Sequence, residues 1–231
     1  MVAPILNSTT TEIIYPDCDG NPMSDNTKQF RWIVTIKENL ELLYAENPDV
    51  FVAGDLLWYP VEGNNTIRQA PDIMVASGRP KGDRGSYQQW KEAGVPPQVV
   101  FEILSPGNRL AEMQRKLSFY DRYGVTEYYI YDPDRTDFAG WMRTDGRLES
   151  IEEPQSWVSP QLGIRFSLEP DTLQIYRPDG QPFLSFVELD LLRQAAEQRA
   201  NTAEQRANTA EQRAAILAAK LQELGIDPTN L

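Results

Sequence analysis

The chain contains no histidine in its 231 residues. That absence excludes chemistry that moves a proton through imidazole, the Ser-His-Asp and Cys-His hydrolases among it, and also His-ligated metal nucleases, zinc hydrolases and phosphohistidine transfer. Cysteine is almost missing as well. Cys18 stands alone, so neither an intramolecular disulfide nor a Cys-rich zinc site can form, as suits a reducing compartment. Cys18 itself is expected to be a small, half-buried side chain. No run of about 18 apolar residues occurs, so no membrane-spanning helix and no membrane partner are expected. The opening MVAPILNSTTTEIIYPD has neither a basic leader nor a continuous apolar stretch, and the expected location is cytoplasmic. Positive charge is scarce: 22 Lys+Arg face 34 Asp+Glu, a net charge of -12. Such a surface repels phosphate backbones, so a nucleic-acid site must be local or completed by a metal ion.

What is present divides into a globular body, residues 1–187, and a tail of different character, residues 188–231. All 17 prolines except Pro228 fall in the body. The tail repeats AEQRANT from Ala196, again from Ala203, and begins a third copy at Ala210. Small or apolar residues fall at Ala196, Ala200, Ala203, Ala207, Ala210, Ala214, Leu217, Leu221 and Leu224. This 4-3 spacing draws one seam along a helix, the pattern of a coiled coil or a helix hairpin. Alanine buries little area, so the first part of the seam should be weak and the leucines should fasten its end. Two readings stay open: a homo-oligomer, such as a homodimer, or partner docking on one side, and a solvated helix kept soluble by Glu and Arg on the other. Gly225 and Pro228 should end the helix.

In the body, Asp25 or Asn26 can cap a helix running to about residue 46, with Phe30, Ile33, Ile36 or Lys37, Leu40 and Leu43 or Tyr44 near helical period. Extended segments over residues 50–59 and 67–76, joined by VEGNN, suggest an antiparallel pair. A polar excursion over residues 77–94 follows, and loops of that length are more often functional than idle. Residues 99–104 (VVFEIL) form the densest apolar run and read as a central strand. A helix over residues 109–123, closed by Gly124, leads to the strand EYYIY at 127–131. That strand, helix, strand order implies a parallel crossover in a mixed sheet. Hairpin material follows over residues 138–152, then short strands near 164–168 and 173–176. The fold class is α/β, a mixed sheet flanked by helices.

Glu102 is the anomaly, a carboxylate at the centre of the apolar strand. A buried charge must be paired, protonated or metal-bound. Asp72 takes the corresponding place in the preceding strand, in APDIMV, and two such acids repel unless a cation joins them, as Mg²⁺ does with few carboxylates and several waters. On the following helix Leu110, Met113, Leu117 and Tyr120 span an arc of about 80°, and Lys116 lies about 40° outside it. From there a flexible stem can bring an ammonium to the acids. Glu112 lies one turn earlier and could hold that lysine or add a ligand. Asp55 is a further acid on the neighbouring strand, for which a turn or packing role is the competing reading.

The stretches APDIMV, PPQVVFEILSPGN and RKLSFYDRYGVTEYYIYDPD resemble the Uma-type family of "putative restriction endonucleases", a branch of the PD-(D/E)xK nuclease superfamily. The likeness covers residues 15–189. It implies a restriction-endonuclease-like sheet and metal-dependent hydrolysis of DNA phosphodiesters, with Asp72 and Glu102 holding Mg²⁺ or Mn²⁺. The superfamily's usual lysine place, two residues after the glutamate, is Leu104 here, and Lys116 matches the place from which the resembled family supplies the ammonium. The family's histidine before the first helix is replaced by Asp25-Asn26-Thr27-Lys28. Local positive charge for substrate phosphates exists at Arg79, Lys81, Arg84 and Lys91 of the excursion, whose competing reading is a merely solvated connection, and at Arg109, Arg115 and Arg122 of the helix. The competing reading is an inactive nuclease fold that works as a scaffold through its tail, and a weaker one is cleavage of RNA or small nucleotides.

Overall fold

Asn26 sets the first helix. Its side-chain carbonyl accepts hydrogen bonds from the backbone N–H of Lys28 at 3.0 Å and Gln29 at 2.8 Å, satisfying two donors that a helix start leaves unpaired. The computed structural model describes residues 13–18 and 26–224, so Asp25 lies outside the described residues, as do Gly225 and Pro228. In chain order the elements are α1 (Thr27–Leu43), β1 (Val50–Gly54), β2 (Trp58–Tyr59), β3 (Ile73–Ser77), β4 (Tyr87–Gln88), β5 (Val99–Ile103), α2 (Leu110–Arg122), β6 (Glu127–Asp132), β7 (Asp137–Thr144), β8 (Arg147–Ser150), β9 (Arg165–Leu168), β10 (Leu173–Tyr176) and α3 (Phe186–Glu223). Two compact units result, Met1–Phe183 and Leu184–Leu231.

In the first unit, six strands form one sheet in the order β1-β3-β5-β6-β7-β8. The step from β5 to β6 is parallel, across α2, and the other steps are antiparallel. A strand that returns through a helix must enter the sheet in the same direction, which is why this one step differs. The expected pairing of the two early segments holds for β1 and β3, with Val52 opposite Val75. Each segment is shorter than expected, however. Asp55 has a left-handed φ of 49°, which stops β1. Trp58 and Tyr59 then pair in parallel with Tyr87 and Gln88 in a separate two-stranded sheet.

Alternation along the strands gives the sheet two apolar faces. One buries Val99, Phe101 and Ile103 against Ile33, Ile36 and Leu40 of α1. The other buries Val100, Met74 and Tyr128 with Tyr120 of α2, and Leu117 packs at its margin. Two residues expected in these stripes are outside them: Phe30 is 59% exposed and Leu110 is 77% exposed, each near the start of its helix. On α1 the buried stripe is Gln29, Ile33, Ile36 and Leu40. Cys18 is exposed rather than half-buried, because the described segment around it lies on the outside of the unit.

A buried acid outside the α2 face shows how such a group is satisfied without a cation. Glu127 accepts hydrogen bonds from the Tyr129 hydroxyl (2.9 Å), the Ser159 hydroxyl (2.5 Å) and the Gln161 N–H (2.9 Å). Burial pushes its pKa up and these donors pull it back. The second unit consists chiefly of α3, started by a capping box: Ser185 Oγ accepts from the Glu188 N–H, and the Glu188 carboxylate accepts from the Ser185 N–H at 2.8 Å. Among the described residues, no helix is long and apolar enough to cross a membrane.

Candidate active site

The register of β3 against β5 pairs Ile73 with Phe101, so the next step outward sets Asp72 opposite Glu102. Both follow the parity of Met74 and Val100 and therefore lie on the α2 face. Glu102 is 2% exposed. Its Oε2 accepts a hydrogen bond from Lys116 Nζ at 2.7 Å, and its Oε1 accepts from the Tyr120 hydroxyl at 2.5 Å. Lys116 reaches the strand because it stands at the border of the α2 stripe, and its side chain is 12% exposed. Asp72 Oδ2 accepts from the Ile103 backbone N–H at 2.6 Å, which ties the half-buried acid to the end of β5.

Burial drives the Glu102 carboxyl upward, against the pull of the Lys116 charge and of the hydrogen bonds from Lys116 and Tyr120. For Lys116, burial acts downward, but the charges of Glu102 and Asp72 outweigh it and the net direction is up. The ammonium is thus held charged by the acids around it. Tyr120 is pushed well above the ordinary phenol range by burial and by Glu102, so its hydroxyl remains a donor. Glu112 contributes charge to this cluster, while its own Oε1 accepts from Asn108 Nδ2 at 3.5 Å.

Gln29 was not among the residues that periodicity singled out. It is 6% exposed, its Nε2 donates to the Ile103 carbonyl at 2.8 Å, and its Oε1 has no hydrogen-bond partner. One residue, Ile103, therefore donates its N–H to Asp72 and accepts from Gln29 through its C=O. The signal was in the sequence: a polar residue heads the stripe 29, 33, 36, 40, at a position that an apolar side chain would fill. Tyr128, fully buried beside Tyr120 with ring centroids 4.9 Å apart, likewise has an unpaired hydroxyl, and Glu102 and Asp72 raise its pKa after burial does. Because the Asn26 cap orders the turn that carries Gln29, Asn26→Ala is expected to cost about 1 kcal/mol. Urea unfolding measures that loss, and an unchanged midpoint would remove the cap from this account.

The donor set fits a hard dication: two carboxylates set opposite each other by the register of β3 and β5. Among the described residues no group of three or more Asp, Glu, His or Cys could hold a metal ion by itself, so water would complete the shell, as it does around Mg²⁺. Both Glu102 oxygens already accept one hydrogen bond, and each retains lone-pair capacity.

The other sequence candidates are placed differently. Arg79 and Arg84 bind Glu92 at 3.0 and 2.7 Å, and Lys81 binds Glu41 at 3.2 Å. Arg84 also lies over the Phe51 ring, 3.9 Å from its centroid. Lys81, Arg84 and Glu41 border a cleft of about 280 Å³ beside β1 that Asp72, Glu102 and Lys116 do not line. Asp55 is exposed, and its N–H donates to the Asp72 carbonyl at 3.2 Å. Arg109, the N-cap residue of α2, and Arg115 on the helix are exposed, on either side of Glu112 in sequence.

A family model, Uma2, described as "Putative restriction endonuclease", matches residues 20–181. No curated protein matches the chain. Among solved structures, the chain is similar to "a putative nuclease belonging to DUF820" from Anabaena variabilis ATCC 29413, with 16% identity, 62% of this chain and 76% of that chain covered, and a TM-score of 0.46. That likeness is too distant to assign a role to any residue.

Proposed function

The chain belongs to the Uma2 family, whose model spans more than two thirds of it, and from that premise we propose that the body is a nuclease that hydrolyses DNA phosphodiesters with Mg²⁺ or Mn²⁺ held by Asp72 and Glu102. The observation that carries this reading is the Lys116 ammonium 2.7 Å from a buried carboxylate that stands opposite a second acid. A dication bound there supplies Lewis acidity at the phosphate and lowers the pKa of a bound water.

The remaining work falls to the chain's own groups. Lys116 neutralises charge that builds on the phosphate oxygens, acting from a water-poor site where such a charge is worth more than in bulk. The Ile103 N–H and the Tyr120 hydroxyl fix the two carboxylates before substrate arrives, so little reorganisation remains for the reaction. The Tyr128 hydroxyl, on the same face as the pair, offers unfilled hydrogen-bonding capacity to ordered water there. Exposed Arg109 and Arg115 meet the backbone of the substrate, the local supply that a chain of net charge -12 requires.

Supercoiled plasmid incubated with the full-length protein is expected to be nicked in Mg²⁺ or Mn²⁺ and left intact in a chelator, with Lys116→Ala inactive beside it. Intact plasmid with every divalent metal tried would overturn the reading and leave a nuclease fold used for binding.

A further inference from the structure

The repeats of α3 leave charges that the helix itself cannot pair. In AEQRANT the Glu and Arg stand two positions apart within a copy and five apart between copies, as in Arg199, Glu204 and Arg206. Neighbours on a helix are three or four apart, and neither spacing qualifies. The contrast lies just upstream, where Arg193 stands at the right distances and binds Asp190 at 3.0 Å and Glu197 at 3.2 Å.

The apolar seam fixes what these charges flank. In the 4-3 spacing, Ala196, Ala203, Ala210, Leu217 and Leu224 occupy one core position of the heptad, and Ala200, Ala207, Ala214 and Leu221 the other. Every Glu of the repeat then lies on one shoulder of the seam and every Arg on the other. The seam is open: Leu217 is 61% exposed and Leu224 is 74% exposed. Thr202 and Thr209 lie off the seam and turn their hydroxyls back to the Gln198 and Gln205 carbonyls, each at 2.8 Å.

We propose that α3 pairs with α3 of a second copy of this chain as a parallel, in-register coiled coil. In that orientation the Arg shoulder of one helix faces the Glu shoulder of the other five residues on. Arg199 meets Glu204 of the partner subunit, Arg206 meets Glu211 of the partner subunit, and the same contacts recur across the axis. An antiparallel pair would set Arg against Arg and Glu against Glu. The charges select orientation more than they add affinity, while the leucines close the carboxyl-terminal end of the seam and the alanines allow close approach before it. The inference stands apart from the nuclease reading, since it uses no residue of the acid pair.

Light scattering on the full-length protein tests it with two charge variants. One carries Arg199→Glu, Arg206→Glu and Arg213→Glu; the other carries Glu197→Arg, Glu204→Arg and Glu211→Arg. The unaltered protein is expected to have a dimer mass, each variant alone a monomer mass, and their equimolar mixture a dimer mass again. Ala203→Cys in a Cys18→Ser background is expected to cross-link fully under copper phenanthroline, because residue 203 faces itself only in the parallel register. A monomeric unaltered protein, a dimer mass kept by either variant alone, or a dimer that resists cross-linking would each overturn the proposal.

Discussion

Glu102→Gln is expected to slow metal-dependent nicking by about a thousandfold, which is about 4 kcal/mol of transition-state stabilisation. The substitution retains side-chain volume and one carbonyl oxygen for Lys116. The new amide nitrogen faces the Tyr120 hydroxyl, which can rotate to accept. What disappears is the negative charge. Asp72 alone is then left to hold the dication, and half of the acidic oxygen supply opposite the substrate is gone. Single-turnover nicking in saturating Mn²⁺ and a calorimetric titration of Mn²⁺ read the two effects separately, and circular dichroism confirms the fold. A rate within tenfold of the parent, with an unchanged titration, would place the reaction elsewhere in the molecule.

Glu102 was legible because β5 is otherwise a continuous apolar run, in which an acid has no ordinary reason to lie. Asp72 followed from strand parity, and β3 and β5 pair in the register that sets the two opposite each other. Lys116 followed from angular position on a helix plus the length of its stem. Tyr120 was read from the same helix only as a core side chain, because periodicity fixes the face a residue takes and says nothing of where its hydroxyl points. Apolarity alone favours Phe30 over Gln29, yet the helix that starts at the Asn26 cap buries residue 29 and exposes residue 30. The excursion after β3 illustrates a different limit. Arg79 and Arg84 find Glu92 across thirteen and eight positions of chain broken into a loop, the short β4 and a single helical turn, and no one helical or strand period relates residues so spaced. The short β2 and β4 are likewise beyond pattern reading, since two residues carry no alternation.

Lys116→Met is expected to destabilise the body by about 3 kcal/mol at about pH 8, because it removes one member of a buried pair and leaves the other uncompensated. Methionine fills most of the lysine's volume, so the loss is electrostatic rather than a cavity. Burial already raises the Glu102 pKa, and the Lys116 charge is the chief influence holding it down; without that charge it rises further. A carboxyl whose folded pKa exceeds its unfolded one gives its full stability below the unfolded value and loses it as pH climbs through the folded value. The deficit of the variant should therefore shrink as pH falls through the raised folded pKa of Glu102, because the protonated acid needs no counter-charge. Urea unfolding of both proteins across a pH series from about pH 8 downward measures this. A lysine that merely covers apolar surface with its stem predicts a loss within about 0.5 kcal/mol at every pH of the series. The double substitution Glu102→Gln with Lys116→Met separates pairing from packing: with both charges gone no buried ion remains to be desolvated, so its stability at about pH 8 should exceed that of Lys116→Met alone. Failure of the second substitution to restore any stability would show that the ammonium and the carboxylate are neighbours without being partners.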